Sequence, residues 1–339
     1  MVKSYCLVFA FFIIANSSYA ELYNSKNKTI KEENFLQTVL FTYENDSVYG
    51  PDRYYTNGIQ LLFLSKDYDF KNENEYLSKI FHIQNKNFHN FSFGIGQKIY
   101  TPYDIKKTEL VEDDRPYAGY LYLFLDKNIR YDKNKTDTFG VSIGLTGPAS
   151  FGEDIQTSVH RWINSPKPDG WSNQLSNEPL FMLSWGRAIE LNEKKPFQYD
   201  WNLIPKMSFN LGTPFTDTGF AIEYRYGWNL QDDLIANRMR ASTMGVKNNN
   251  INNNFNDLSY YFFLEGTVNA VLYNTFLDGN ISGYKPNICK NLLSYELNGG
   301  VTLRLNKIYA KYSTIYLSKE FKEQLNSQII FSLSIGYLF

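Results

Sequence analysis

Hydrophobic and polar residues alternate with a period of two in several stretches of the chain. At the C-terminus, small or polar residues alternate with Phe331, Leu333, Ile335, Tyr337 and Phe339. The same alternation recurs within residues 90–100 and 137–146. This period is typical of a β-strand with one apolar face. Serine and glycine on the other face suit the inside of a barrel, whereas an edge strand of a soluble sandwich is the alternative.

Reading the whole chain with this period predicts twelve strands, each near or above the roughly 9–11 residues of a tilted membrane strand. They are predicted at 35–44, 54–65, 90–100, 119–131, 137–146, 178–190, 199–212, 218–229, 259–272, 292–304, 307–318 and 327–339. An even count brings both termini to the periplasmic side, and closure pairs both edge strands. We therefore expect an all-β fold, a twelve-stranded antiparallel transmembrane β-barrel with a short helix in an extracellular loop.

The first twenty residues have the features of a secretory signal. Lys3 precedes the apolar run Leu7 to Ala15, and Ser18 and Ala20 supply small residues before a cleavage point after Ala20. The alternative, a single membrane anchor, needs a longer apolar run. We thus predict a signal peptide at 1–20 and one outer-membrane barrel at 21–339.

The composition agrees with a barrel. Aromatic residues make up 17% of the chain, with 27 Tyr and 26 Phe, as the interfacial girdles of a transmembrane barrel require. The mean hydropathy is −0.40, and no later stretch reaches the roughly 18 apolar residues of a spanning helix. The net charge of −1 offers no basic field for nucleic acid. Because the chain has only two Cys and three His, a metal site must use oxygen ligands.

One segment fits the barrel scheme poorly. Residues 230–258 contain the Asn-rich run Asn248 to Asn254 and fall on the periplasmic side, where turns are usually short. We expect a flexible loop there.

The loops at about 45–53, 101–118 and 147–177 emerge on one rim if the N-terminus is periplasmic. The first, YENDSVYGPDRYYTNG, concentrates oxygen donors in one hairpin, including Asn45, Asp46, Asp52 and Thr56. Asn45 also shares the strand parity of apolar neighbours, so its amide is expected at the outer wall. A polar group there is costly unless it has a hydrogen-bond partner or a ligand. The alternative is an ordinary polar hairpin loop.

The second loop and the strand before it each contain one candidate substrate contact. Arg115, in EDDRPYAGYLY, has the planar guanidinium that grips a phosphate or carboxylate, although pairing with Asp113 or Asp114 is the simpler alternative. Gln97 continues the lipid-facing parity of Phe93 and Ile95 near the outer end of its strand. We therefore expect Gln97 to help line a site at the wall.

The third loop is predicted to be partly helical. Ser150 to Glu153 match a capping box, and Ile155, Val159, Trp162 and Ile163 recur at helical spacing. His160 borders that apolar face, with Gln156 one turn before it. An imidazole would then stand where lipid, helix and barrel wall meet, and the alternative is a helix-surface histidine without function.

These motifs resemble the outer-membrane lipid A 3′-O-deacylase family, LpxR. The resemblance rests on ENDSVYGPDRYYTNG, on DRPYAGYLY and on the His160 helix followed by PKPDGWSNQL, three separate motifs in the same order between Thr42 and Leu175. It implies a twelve-stranded barrel that hydrolyses the ester of the 3′-linked acyloxyacyl chain of lipid A, with calcium as cofactor. It also implies lipopolysaccharide as the partner and the bacterial outer membrane as the location.

The resemblance also implies roles for individual residues. His160 corresponds to the catalytic histidine, Asn45 and Asp46 to the Asn-Asp pair, and Thr56 to the essential hydroxyl residue; calcium would bind Asp46, Asn45 and Thr56. One departure is that Pro166 stands where family members can carry a glutamate. Glu153, Glu178 or a backbone carbonyl are the candidates to replace it.

The chemistry of the residues is consistent with this resemblance. Ester hydrolysis needs a base with a near-neutral pKa, which His160 supplies, and a positive charge near the developing oxyanion, which calcium supplies. Two alternatives are a serine-type outer-membrane phospholipase, which needs a serine beside the histidine, and a non-enzymatic porin or adhesin with a polar rim.

Overall fold

The computed structural model describes residues 35–48, 52–67, 88–131, 134–193, 195–230, 239 and 258–339. Twelve antiparallel strands form a closed barrel in chain order, and the last strand pairs with the first. The strands are β1 (Leu36–Asn45), β2 (Tyr54–Ser65), β3 (Phe88–Thr101), β4 (Ala118–Arg130), β5 (Lys135–Thr146), β6 (Glu178–Ile189), β7 (Tyr199–Gly212), β8 (Phe215–Trp228), β9 (Leu258–Asn274), β10 (Leu293–Leu305), β11 (Ile308–Leu317) and β12 (Gln328–Leu338). The predicted fold class and strand count are confirmed, whereas the predicted signal peptide lies outside the described residues.

The barrel closes through the pairing of β1 with β12, which we call the closing seam. The register runs from Thr38 opposite Leu338 to Asn45 opposite Phe331. At the end of the seam, the backbone N–H of Phe339 donates to the carbonyl of Gln37 at 2.8 Å. No water is available in a bilayer core to satisfy an open strand edge, so closure removes the largest backbone penalty of the fold.

The two faces of the wall separate apolar from polar side chains, as the period of two predicts. Leu125 and Ile335 point outward and are about half exposed, at 49% and 51%. Inside, the hydroxyls of Thr42 and Ser334 lie 2.9 Å apart across the closing seam. The outer face therefore has the composition that hydrocarbon requires, while the inner face combines polar side chains with a cluster of buried apolar and aromatic ones, such as Tyr122 and Phe124.

An aromatic band marks one end of the barrel, where β7 begins and β8 ends. Its outward, exposed members are Tyr199, Trp201, Tyr224 and Tyr226. The hydroxyls of Tyr199 on β7 and Tyr260 on β9 also lie 2.5 Å apart, across the intervening strand β8. Amphipathic rings favour the boundary between acyl chains and head groups, so this end, the lower rim, coincides with one membrane interface.

Charged side chains inside the lumen are paired across neighbouring strands. Lys206 on β7 lies 2.5 Å from both Glu223 on β8 and Glu265 on β9. Arg225 adds a second cation at 2.7 Å from Glu223. Pairing offsets the desolvation of these buried charges and links three consecutive strands from the inside.

Met239, a described residue of the connection between β8 and β9, is buried inside the barrel, a position that the expectation of a flexible loop did not include. The backbone N–H of Met239 donates to Glu44 at 2.8 Å, and its carbonyl accepts from Lys98 at 3.0 Å. Because Glu44 and Lys98 lie near the opposite end of the barrel, Met239 is far from the lower rim. The Asn-rich run lies outside the described residues.

Two α-helices occur in the described part of the chain, α1 (Gly152–Ile163) and α2 (Thr275–Asp278). Both belong to connections at the end of the barrel where β1, β3 and β5 finish, which we call the upper rim. Neither helix, in the part of the chain that the structure describes, is long and apolar enough to cross a membrane. The predicted helix after β5 is present, and it begins two residues after Ser150.

The outward position of Leu125 gives a test of the barrel orientation in lipid. Leu125 lies near the middle of β4, so Leu125→Arg should destabilise the folded barrel by about 2–4 kcal/mol, as a charge on the lipid face near the midplane does. Leu125→Ile is the matched control and should cost less than about 1.5 kcal/mol. Urea unfolding in lipid vesicles measures both, and equal stability of the two variants would contradict a lipid-facing Leu125.

Candidate active site

The hairpin between β1 and β2 brings its oxygen donors together at the upper rim. The amide nitrogen of Asn45 donates to the carbonyl of Thr56 at 3.0 Å, and its amide oxygen accepts from the N–H of Ser47 at 2.7 Å. Asn45 is only 7% exposed, although it shares the outward parity of Phe41. Both hydrogen bonds fix the orientation of the amide beside the start of β2.

Asp46 is a buried carboxylate, and one of its two oxygens has no hydrogen-bond partner among the described residues. Its Oδ2 accepts from the N–H of Arg53 at 2.9 Å and from the side chain of Gln328 at 3.2 Å. Its Oδ1 is buried and accepts from no atom of the described residues. Burial, followed by the nearby charge of Asp52, raises the pKa of Asp46 to about 9. Two adjacent carboxylates of this kind favour a cation between them.

Thr56 lies at a β-bulge. The pairing of β2 with β3 shifts its register between Tyr55 and Asn57, which leaves Thr56 as the extra residue. The hydroxyl of Thr56 lies 2.8 Å from the hydroxyl of Thr101 at the end of β3. A bulge re-aims side chains out of the strict alternation of a strand. The link from Thr56 to the other end of the hairpin is its backbone carbonyl, which accepts from the side chain of Asn45 at 3.0 Å.

Two contacts hold α1 against the outer wall. The side-chain amide of Gln97 donates to the carbonyl of Ser150 at 2.6 Å. Gly119 on β4 faces Gly152, the first residue of α1, so closely that a Cβ on Gly119 would lie 3.1 Å from the Gly152 Cα. Glycine at both positions permits this approach of helix to strand.

The predicted capping box at the start of α1 does not form. The residue before the helix is Phe151, which has a left-handed backbone with φ of 59° and caps no N–H with its side chain. The hydroxyl of Ser150 instead donates to the carbonyl of Gly147 at 2.5 Å. The short 3₁₀ turn Pro148–Ser150 takes the position that the sequence pattern assigned to the helix start.

His160 points from α1 towards the hairpin. One ring nitrogen, Nδ1, lies 2.5 Å from the carbonyl of Pro166, and Nε2 contacts the carboxylate of Asp52. Burial lowers the pKa of His160, but the hydrogen bonds to Asp52 and Pro166 and the charge of Asp52 outweigh it, so the pKa is raised above 6.5. The histidine and two carboxylates thus come from three separate loop positions to one site at the wall.

The two predicted replacements for the family glutamate lie elsewhere. Glu153 is exposed on α1, and the carboxylate of Glu178 accepts from the side chain of Asn280 at 3.0 Å. The backbone carbonyl of Pro166, the third candidate, is the group that contacts His160.

Gln156 lies one helical turn before His160 on the buried face of α1. Its oxygen accepts from the indole N–H of Trp171 at 2.9 Å. Its nitrogen Nε2 is buried and donates to no acceptor among the described residues. An oriented, unused donor beside the histidine suits a carbonyl or hydroxyl oxygen of a ligand.

The structure separates the two predicted substrate contacts from each other. Gln97 lies on the outer wall, as the parity of β3 predicts, where its amide supports α1. Arg115 is fully buried, over the ring of Tyr100 at 4.8 Å and 2.9 Å from Glu320. The expected alternative partner, Asp114, accepts the backbone N–H of Arg115 instead, at 2.7 Å. The binding of substrate by either residue stays a prediction.

The donor set fits calcium better than a softer metal. Within the described residues, no three His, Cys, Asp or Glu side chains form a metal-binding group. Two carboxylates, the amide of Asn45 and the hydroxyl of Thr56 are hard oxygen donors, which calcium prefers. The unused Oδ1 of Asp46 is a buried position that a cation would satisfy.

Comparisons with known proteins place this barrel and its loops in a family. The family model described as "Outer membrane protein LpxR" matches residues 5–339. The chain belongs to the LpxR family. The predicted resemblance and the outer-membrane location are thereby confirmed.

Among solved structures, LpxR from Salmonella typhimurium matches with a TM-score of 0.72 and 20% sequence identity, over 89% of this chain and 100% of that one. The β domain of the Bordetella autotransporter BrkA matches with a TM-score of 0.45 and 9% identity, over 90% and 99%. No curated protein sequence matches. At 20% identity the first likeness shows a shared barrel fold.

Asp52 is the partner of His160 that the sequence did not assign. It was predicted only as one of several oxygen donors in the hairpin, and its pairing depends on the position of α1. Gln328 was missed altogether, since it lies 282 residues from Asp46 and only barrel closure joins them. The one sequence signal available for Asp52 was its place between Asp46 and Thr56.

The contact with Asp52 gives a prediction about the protonation of His160. In the calcium-free protein, Asp52→Asn should lower the pKa of His160, because the charged acceptor at Nε2 is lost. Because the pKa of His160 is higher in the folded state, its protonation stabilises the folded protein fully below about pH 6.5. This contribution disappears as the pH rises through the folded-state pKa. NMR titration of the His160 ring measures the shift, with Glu153→Gln on the exposed side of α1 as control; an unchanged pKa in Asp52→Asn would contradict the pairing.

Proposed function

We propose that this protein is a calcium-dependent lipid A 3′-O-deacylase of the outer membrane. The observation that carries the proposal is the convergence of His160 with the carboxylates of Asp46 and Asp52 between α1 and the barrel wall. Membership of the LpxR family supports the substrate class, lipid A within lipopolysaccharide. The outer wall supports it too, because a membrane lipid reaches this face without leaving the bilayer.

His160 is the proposed general base. Its Nδ1–H donates to the carbonyl of Pro166, which fixes the tautomer and makes Nε2 the nitrogen that takes up a proton. In this structure Nε2 contacts Asp52, so the attacking water takes the place of that carboxylate at Nε2. A water molecule loses that proton as its oxygen attacks the ester carbonyl, and the imidazolium so formed is stabilised by Asp52. The tetrahedral intermediate then collapses, the C–O bond to the sugar breaks, and the proton returns to the departing sugar hydroxyl.

The remaining groups orient the reactants. Asn45 and Thr56 are held by hydrogen bonds of 3.0 Å and 2.8 Å, and Gln156 offers its unused N–H groups one turn from the histidine. Asp46, Asp52, Asn45 and Thr56 are the proposed calcium ligands, and bound calcium would supply positive charge for the developing oxyanion. Among the described residues, the ring nitrogens of His160 contact Pro166 and Asp52 and no serine hydroxyl, so a water-based mechanism is preferred over a serine-based one.

Replacing the base tests the chemistry separately from the fold. His160→Ala should reduce release of the 3′-acyloxyacyl group by about 10²–10⁴-fold, the usual contribution of a general base. The control is Ser158→Ala, an exposed position on the same helix, which should retain activity. Mass spectrometry of lipid A after incubation measures release, and heat-modifiable migration on gels shows that both barrels are folded. Normal release by folded His160→Ala would remove His160 from the mechanism.

Calcium dependence is tested by chelation and titration. Excess chelator should stop lipid A hydrolysis, and added calcium should restore it. Asp46→Asn removes one carboxylate charge and should raise the calcium concentration for half-maximal activity, because ligand charge sets the affinity of such sites. Asp154→Asn, on the exposed side of α1, is the matched control. Full hydrolysis in excess chelator would show that calcium is not required.

A further inference from the structure

Helix α1 exposes its apolar face and buries a polar one. The residues buried against the barrel are Gly152, Gln156 and His160. The apolar residues lie three or four positions apart on another face, at Phe151, Ile155, Val159, Trp162 and Ile163. A helix on a water-soluble domain has the reverse arrangement, with its apolar stripe against the core.

The exposure of that face is large at both ends of the helix. Trp162 is 85% exposed, Phe151 55% and Ile163 53%. Ile155 and Val159, in the middle of the helix, are partly buried, and Ile155 packs against a small cluster of Ile99, Tyr117 and Trp171. Large apolar side chains on one continuous face are expected where the surrounding medium is itself apolar.

The apolar edge of α1 continues the lipid-facing surface of the barrel. The helix is attached at Gln97 and Gly119, and the outward residues two positions below these are Ile95 and Leu121. Further along β4, Leu123 is 51% exposed on the same face. Hydrocarbon that surrounds these strands therefore lies next to the helix.

We infer that the edge formed by Phe151, Trp162 and Ile163 is a lipid-contact surface that inserts among the acyl chains of the leaflet around the upper rim. Tryptophan is favoured at this boundary, and an amphipathic helix with an aromatic apolar face lies in the plane of the interface. Asp154 and Arg161, which are exposed beside the apolar edge, then meet the head groups. The polar face of the helix, which carries His160, then faces the barrel wall.

This insertion also sets the depth of the candidate site, a consequence that rests on the proposed function. The ester bonds of a membrane lipid lie between head groups and acyl chains. A helix inserted by one edge holds His160 at that level, so the ester reaches the histidine without the lipid being lifted into water.

Fluorescence quenching tests the lipid contact without reference to activity. The chain has five tryptophans, so the difference between the parent barrel and Trp162→Phe isolates the emission of Trp162. In phosphatidylcholine vesicles with brominated acyl chains, this difference signal should be quenched, and the water-soluble quencher acrylamide should affect it little. Quenching by acrylamide alone would overturn the inference, as would protection from both quenchers with dimerisation through α1.

Activity measurements separate this inference from the proposed function. For lipid A in vesicles, Trp162→Ser should raise the apparent KM about tenfold with little change in kcat, whereas Trp162→Phe should restore the parent value. Glu153→Gln, at an exposed position away from the apolar edge, is the control. If the parent hydrolyses lipid A but brominated acyl chains do not quench Trp162, the lipid contact alone is refuted. If they quench Trp162 but the barrel does not hydrolyse lipid A, the proposed function alone is refuted.

Discussion

Every backbone N–H and C=O that a strand carries into hydrocarbon must pair with another strand. The pairing of β1 with β12 completes that requirement and turns twelve neighbouring hairpins into one wall. Once the wall is closed, each side chain has only two destinations, lipid or lumen. Apolar residues such as Leu125 and Ile335 occupy the first, and polar pairs such as Thr42 with Ser334 occupy the second. The candidate site is an exception, because it gathers polar groups on the outer side.

These polar groups on the outer side are buried because α1 packs over them. Asn45 follows outward parity on β1 and yet is buried, as are Asp46 and His160. The close approach of Gly119 to Gly152 and the hydrogen bond from Gln97 hold the helix where it shields this polar patch. Burial, with the nearby charge of Asp52, raises the pKa of Asp46, whereas the contacts of His160 with Asp52 and Pro166 raise its pKa against the opposing effect of burial.

The strands were predictable because alternation is a local property of the sequence. All twelve follow from it, and so do the outward position of Gln97 and the helix that carries His160. The contacts that complete the site are not local. Asp52 meets His160 only after two loops converge, Arg115 pairs with Glu320 from 205 residues away, and Met239 reaches Glu44 through the lumen. The start of α1 was wrong for another reason, since Phe151 adopts a left-handed conformation that no capping pattern signals.

The closing seam passes directly beside the candidate site. Asn45 pairs with Phe331, and the amide of Gln328 binds Asp46 together with the carbonyls of Arg53 and Tyr55. Residues from the two ends of the barrel sequence thus complete one set of contacts. An unfinished barrel has the hairpin but lacks Gln328, so the carboxylate reaches its final environment only when the last strand docks. The candidate site is therefore completed by barrel assembly, and a chain whose last strand has not docked has an incomplete site.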